Sequence, residues 1–151
     1  MRSTKSLLLT TLPLIAAACG GGHKLPRDLK ASIAALQARP EHTADSVEVQ
    51  HILIAFQGAM RSTATRSKEE AEKLTAEVYG RAWDGDDFTS LMKTYTGDPG
   101  PGTYPMTKDG RAGMVPTFGN VAWRLEVGEI GVGPFDPKDS PFGWHIIKRL
   151  K

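Results

Sequence analysis

From Val47 to Phe56 the chain alternates between two apolar faces. Val49, His51, Leu53 and Ala55 share one face, and Gln50, Ile52, Ile54 and Phe56 the other. Because both are largely apolar, the pattern predicts a central strand covered on both sides. Toward the C-terminus, Val132 to Phe135 and Trp144 to Leu150 predict a hairpin across a loop that holds Pro137, Ser140 and Pro141. Between these strands the period changes. Ser67 with Glu70 three residues on is a capping-box signature. It opens a helix with Ala71, Leu74 and Val78 on its buried stripe, running to about Trp83 and broken at Asp84-Gly85-Asp86. Asp86 or Asp87 starts a shorter helix, Phe88 to Tyr95, with Phe88, Leu91 and Met92 inward. Phe118, Val121, Ala122 and Leu125 follow helical spacing and predict another helix from about Pro116 to Leu125. The stretch from Asp98 to Gly113 is rich in Gly and Pro and cannot be regular throughout, and Thr103 to Met106 is its candidate strand. Val127 to Ile130 reads as a turn into a strand. Arg27 to Arg39 reads as a short amphipathic helix with Leu29, Ile33 and Leu36 on one side, closed by Pro40. The sequence leaves open whether that helix packs on the domain or belongs to a mobile neck. This order of elements predicts an α+β domain.

The N-terminus has a different character. Arg2 and Lys5 make a basic start, Leu7 to Ile15 is apolar, and Ala16-Ala17-Ala18 is a small-residue cleavage site. Residues 1–18 therefore read as a signal peptide, with an apolar run too short to span a bilayer as a helix. Cys19 follows, the only cysteine of the chain. Leu14-Ile15-Ala16-Ala17-Ala18-Cys19 resembles a bacterial lipobox, with Ala16 where leucine is usual. The resemblance implies acylation of Cys19 and anchoring of the protein to a membrane. The alternative is an ordinary secretory signal followed by an incidental cysteine. Gly20 in second position favours the periplasmic face of the outer membrane by the sorting rule of enteric bacteria. Gly20-Gly21-Gly22 begins a tether, so the expected organisation is a signal over 1–18, a tether and short helix over 19–46, and a domain over 47–151.

Charge narrows the partners. Loss of Arg2 and Lys5 takes Lys+Arg from 19 to 17, against 17 Asp+Glu. A formally neutral chain lacks the basic surface that nucleic acid or an anionic membrane patch would need. About 130 residues suffice for one core, which no disulfide can staple.

Two histidines lie in strand-like apolar runs: His51 in Val49-Gln50-His51-Ile52-Leu53-Ile54, and His145 in Phe142-Gly143-Trp144-His145-Ile146-Ile147. Such surroundings disfavour a charged imidazole. With Gly128-Glu129-Ile130 and the segments between, these runs resemble the parvulin family of peptidyl-prolyl cis/trans isomerases over about Val47 to Leu150. The resemblance implies a four-stranded antiparallel sheet surrounded by about four helices. It also implies a site in which His51 and His145 lie side by side. Tyr95-Thr96-Gly97-Asp98 matches the family's Tyr/Phe-Ser-x-(Cys/Asp) stretch, which makes Asp98 the acidic member. Met114 and Phe118 match the residues that cradle the proline ring, and Ser140 matches a small polar residue before the last histidine. Phe142 stands where a second hydroxyl sometimes sits. One segment departs from the pattern. Gly100-Pro101-Gly102-Thr103-Tyr104-Pro105-Met106 replaces a Gly-Asp-Leu-Gly-like strand whose leucine completes the pocket, leaving Tyr104 or Met106 to fill that wall.

The implied activity is non-covalent isomerisation of X-Pro bonds in unfolded or extended exported polypeptides, by a monomer without cofactor. The alternative is a peptide-binding chaperone or envelope-complex subunit on the same fold with little activity. Arg61 and Arg66 fall where phosphate-reading parvulins carry a basic cluster, but two scattered arginines read as solvated surface. No metal is expected: His23 and His42 lie in the tether region, and neither paired cysteines nor a helical His-x-x-x-His occurs.

Overall fold

The computed structural model describes residues 25–151, so the signal and Cys19 lie outside the described residues. Four strands form one antiparallel sheet: β1 (Ser46–Ile54), β2 (Thr103–Thr107), β3 (Ile130–Gly133) and β4 (Trp144–Arg149), in the order β2-β1-β4-β3. Four α-helices surround it: α1 (Leu29–Ala38), α2 (Lys68–Asp84), α3 (Phe88–Tyr95) and α4 (Pro116–Arg124), with a 3₁₀ turn at Gly110–Gly113.

As the two apolar faces require, β1 lies inside the sheet with a core on either side. Ile52, Ile54 and Phe56 pack with Val78, Tyr79 and Ala82 of α2, Phe88 and Leu91 of α3, and Val132 and Ile146 of the sheet. On the opposite face Val47 and Val49 pack with Ile147, Met106 and the α4 residues Phe118, Val121, Ala122 and Trp123. The edges are protected differently. β2 is short and carries Pro105, whose missing N–H is tolerated only where no further strand pairs. At β3, α1 lies so close that a Cβ on Gly131 would stand 2.8 Å from methyl carbons of Leu36 and Leu125.

Local signals set the helix ends. In α2 the Ser67 hydroxyl accepts from Glu70 N at 3.1 Å while the Glu70 carboxylate accepts from Ser67 N at 2.6 Å, and Gly85 ends the helix at φ +111°. Its buried stripe is Ala71, Thr75, Val78, Tyr79 and Ala82. Leu74 is only half-buried, and Thr75 takes the inner position by donating its hydroxyl to Ala71 O at 2.8 Å. Asp87 caps α3 through Ser90 N at 2.8 Å.

The helix before β1 packs on the domain. Trp83 Nε1 donates to Leu25 O and the Tyr79 hydroxyl to Pro26 O, both at 2.7 Å. With its proton so placed, Tyr79 accepts from Ser32 Oγ at 2.8 Å. At the far end Arg39 grips the largely buried Glu129 carboxylate with both guanidinium nitrogens, at 2.5 and 3.2 Å. The Gly128-Glu129 pair is thus structural here. Gly128 turns the chain at φ +85°, and Glu129 fastens the turn to the end of α1.

Candidate functional site

β1 and β4 align Leu53 with His145 and His51 with Ile147, which puts both histidines on one face, diagonal across neighbouring strands. Their rings stack at 4.9 Å between centroids, and His51 Nε2 lies 2.8 Å from His145 Nδ1. Both are buried.

Asp98 is delivered by the chain beyond α3. Thr96 Oγ1 accepts from Leu53 N at 3.1 Å, and Gly97 N donates to Leu53 O at 2.8 Å, so this loop continues the sheet edge past the end of β2. Asp98 Oδ2 then lies 3.3 Å from His51 Nδ1 and accepts the hydroxyl proton of Tyr104, while Oδ1 accepts Gly100 N at 3.0 Å. These donors, His51 first and then Tyr104 and Gly100, outweigh partial burial and hold the carboxyl well below the usual carboxylate range. Burial, reinforced by the carboxylate, pushes the Tyr104 phenol well above its ordinary value. Burial, together with the neighbouring His51, pushes His145 well below its ordinary value, against the opposing pull of Asp98.

The hydrogen bonds order the protons. Facing a carboxylate, His51 Nδ1 is the donor. In the neutral ring Nε2 is then an acceptor, so His145 Nδ1 donates to it. His145 Nε2 is left as a bare lone pair, and among the described residues it is a buried nitrogen without a partner. Both nitrogens of His51 are engaged, so the pair and Asp98 do not converge on one point as metal ligands would. Among the described residues no cluster of three or more such side chains is arranged to hold a metal.

These groups line a cleft of about 590 Å³. Its apolar wall is Phe118, Met114 and Val115 on one side and Leu53 and Ala55 on the other. Phe118 is central, with edge-to-face contacts to His51 at 5.0 Å and to Tyr104 and His145 at 5.7 Å each. The structure thus brings together six of the seven residues expected to form the site: His51, Asp98, Tyr104, Met114, Phe118 and His145.

Ser140 stands apart. It is fully buried, donates its hydroxyl to Gly143 O at 3.1 Å, and does not line the cleft. Phe142 lines it instead, because Gly143, at φ +139°, lays the turn against β1; a Cβ there would lie 2.3 Å from Ile54 O. Met106 packs in the core beneath. Antiparallel pairing sets it opposite Val47, away from the histidines, and sets Tyr104 opposite Val49, beside them. Sequence reasoning missed much of the rim. The loop from Met60 to Arg66 lines the cleft, with Arg61 exposed at its rim and Arg66 partly buried. Arg66 is partly engaged, donating to Ala55 O at 2.9 Å. Leu53 and Ala55 were visible as face-mates of His51, whereas Met60, which is half exposed, has no periodic signal at all.

Known proteins resemble this chain at three levels. "Chaperone SurA" of Pseudomonas fluorescens is 35% identical over 109 residues, which are 70% of this chain and 23% of that protein. "Foldase protein PrsA 4" of Bacillus cereus is 31% identical over 110 residues, 72% of this chain and 32% of that protein. The chain therefore spans only about a quarter to a third of the length of these relatives. Peptidyl-prolyl isomerase ESS1 from Candida albicans shares the fold, with a TM-score of 0.61 at 20% identity over 82% of this chain and 73% of that one. Residues 32–151 match the family model of the PPIC-type PPIase domain, and the chain belongs to that family.

Proposed function

We propose that this protein is a peptidyl-prolyl cis/trans isomerase that assists the folding of exported or envelope proteins, with the cleft around His51, Asp98, Phe118 and His145 as its site. The observation that carries this reading is the juxtaposition of an apolar wall with a fixed chain of polar groups in one cleft. Rotation about an X-Pro bond must break amide resonance, at about 18–20 kcal/mol. In the twisted imide the nitrogen loses its conjugation and the carbonyl becomes ketone-like. A site that binds this form better than either planar form accelerates the reaction without a covalent bond. Phe118, Met114 and Val115 offer the proline ring a desolvated seat. The ordered imidazoles and Asp98 present fixed dipoles beside it, which need not reorganise as the carbonyl turns. Kinetic measurement on a panel of X-Pro peptides, using the chain after Cys19, is expected to show faster cis-to-trans conversion. No acceleration with any residue before proline would refute the reading.

Support for a role in folding comes from relatives that are named as a chaperone and a foldase. A second reading is a peptide holder with little activity, which the Tyr104 wall favours because it departs from the family pattern. Peptide binding that survives replacement of proline by alanine, on a sample that does not isomerise, would select it.

The proposed location is the cell envelope, with lipid on Cys19 as the anchor. No helix among the described residues is long and apolar enough to cross a membrane. Two or more acyl chains hold a protein firmly where one does so only marginally. Wild type is expected to sediment with membranes and to resist salt washes, and Cys19→Ser to become soluble. Equal partitioning of the two removes the anchor.

A further inference from the structure

We propose that Tyr104 is a positioning residue for this site: its hydroxyl locks the Asp98 carboxylate onto His51 Nδ1 and thereby fixes the proton order of both imidazoles. The proposal rests on the isomerase reading of the cleft. It assigns to the hydroxyl a role separate from that of the ring, which fills the wall.

Two independent features of the chain support it. The first is convergence. One carboxylate oxygen, Oδ2, faces both the Tyr104 hydroxyl and His51 Nδ1, while Oδ1 is held from behind by Gly100 N at 3.0 Å. A carboxylate bound by its own loop on one oxygen and by the phenol on the other has no remaining freedom to rotate away from the imidazole. The second is the glycine that makes room. A Cβ on Gly100 would lie 2.2 Å from the Tyr104 oxygen and 3.1 to 3.2 Å from the Asp98 carboxylate oxygens. The backbone there is bare where the phenol and the carboxylate meet. Gly102 keeps the strand start in place, with φ +74° and Met92 Sδ 2.6 Å from where a Cβ would stand, and its carbonyl accepts His51 N at 3.0 Å. The segment that departs from the family pattern is thus shaped around a tyrosine hydroxyl.

The consequence runs along the hydrogen bonds. An oriented Asp98 keeps the proton on His51 Nδ1, which makes Nε2 the acceptor for His145 Nδ1–H and leaves His145 Nε2 bare. Without the phenol, Oδ2 loses one of its two donors, and the carboxyl becomes easier to protonate. The groups facing Asp98 are His51 from β1, Tyr104 from β2 and, one ring further, His145 from β4. Arg61 and Arg66 line the same cleft from the β1–α2 loop, and Tyr95 lines it from α3.

Tyr104→Phe keeps the ring and removes the oxygen. Carboxyl-carbon NMR on the variant is expected to show Asp98 titrating higher than in wild type by about one pH unit or more. KM for a proline peptide should change little, because the apolar wall remains. A reciprocal measurement guards against a poorly folded variant: in Asp98→Asn the Tyr104 phenol, followed by its ring carbon, should return toward the ordinary tyrosine range. An Asp98 titration that coincides in folded Tyr104→Phe and wild type, or a Tyr104 ionisation unmoved in Asp98→Asn, overturns the proposal. The NMR arms need no turnover. A wild type that fails to isomerise any peptide therefore refutes the isomerase reading separately, with the lock still read directly.

Discussion

Phe118→Ala is expected to lower kcat/KM on the order of 10- to 100-fold, and more than His51→Ala does. Phe118 meets His51, Tyr104 and His145 edge to face and is only 4% exposed, so its ring is the apolar element against which the polar members of the site pack. Two to three methylenes of a proline ring buried against the phenyl contribute about 1.6–2.4 kcal/mol of apolar contact. At about 1.4 kcal/mol per factor of ten, losing that contact in the twisted state accounts for the expected range. His51→Ala also removes an ordered dipole, but the proposed mechanism moves no proton between protein and peptide, and the apolar seat survives. Gripping the ring should therefore outweigh orienting the carbonyl.

The same substitution opens a cavity in the α4 core, and Phe→Ala changes in cores cost about 3–5 kcal/mol. Activity must accordingly be read beside a urea midpoint. Phe118→Leu supplies a milder control: it retains most of the apolar volume but loses the flat face, and should stay folded with an intermediate rate. Full turnover by a folded Phe118→Ala protein would show that the ring is core alone and that the proline seat lies elsewhere.

What could be read from the sequence divides by range. β1, the α2 capping box and α3 rest on signals within a few residues, and the structure reproduces them closely: the pattern predicts Phe88–Tyr95 and α3 has those bounds. The two histidines were placed side by side through the family resemblance, and strand register supplies the reason. Three matters needed the third dimension. Whether α1 packs is decided by Tyr79 and Trp83, which bind carbonyls 53 and 58 residues away. The fate of Ser140 is decided by a tight turn whose glycine must clear the β1 backbone, which turns the hydroxyl to Gly143 and leaves Phe142 to the cleft. The bond between Tyr104 and Asp98 spans a Gly-Pro-Gly stretch with no period to extrapolate, so the wall could be narrowed to Tyr104 or Met106 and no further.

Acidification is expected to weaken the fold through His145 before any carboxylate contributes. Burial lowers the folded His145 value well below its ordinary 6.5, so between those two values the unfolded chain binds a proton that the native chain refuses. Stability then rises with pH across this window, by about 1.4 kcal/mol per pH unit for one proton, and levels off above the ordinary histidine range. The full contribution is present at neutral pH and drains away as pH falls through 6.5. Asp98 acts in a different window. Its folded value is depressed, so its contribution is complete above 3.8 and is lost only below. Glu41, Asp84, Asp87 and Asp136, also lowered, likewise act below about 4.5, the highest of their ordinary values. A slope between pH 4.5 and 6.5 therefore lies above the window of these carboxylates, and a His145 variant tests its assignment. Urea unfolding at pH 7.5, 6 and 5 should show it in wild type. His145→Gln should flatten it, because the amide can still donate to His51 Nε2 but takes up no proton. An unchanged slope in that variant would mean that the buried imidazole is not what resists the proton, and that water reaches His145 Nε2 after all.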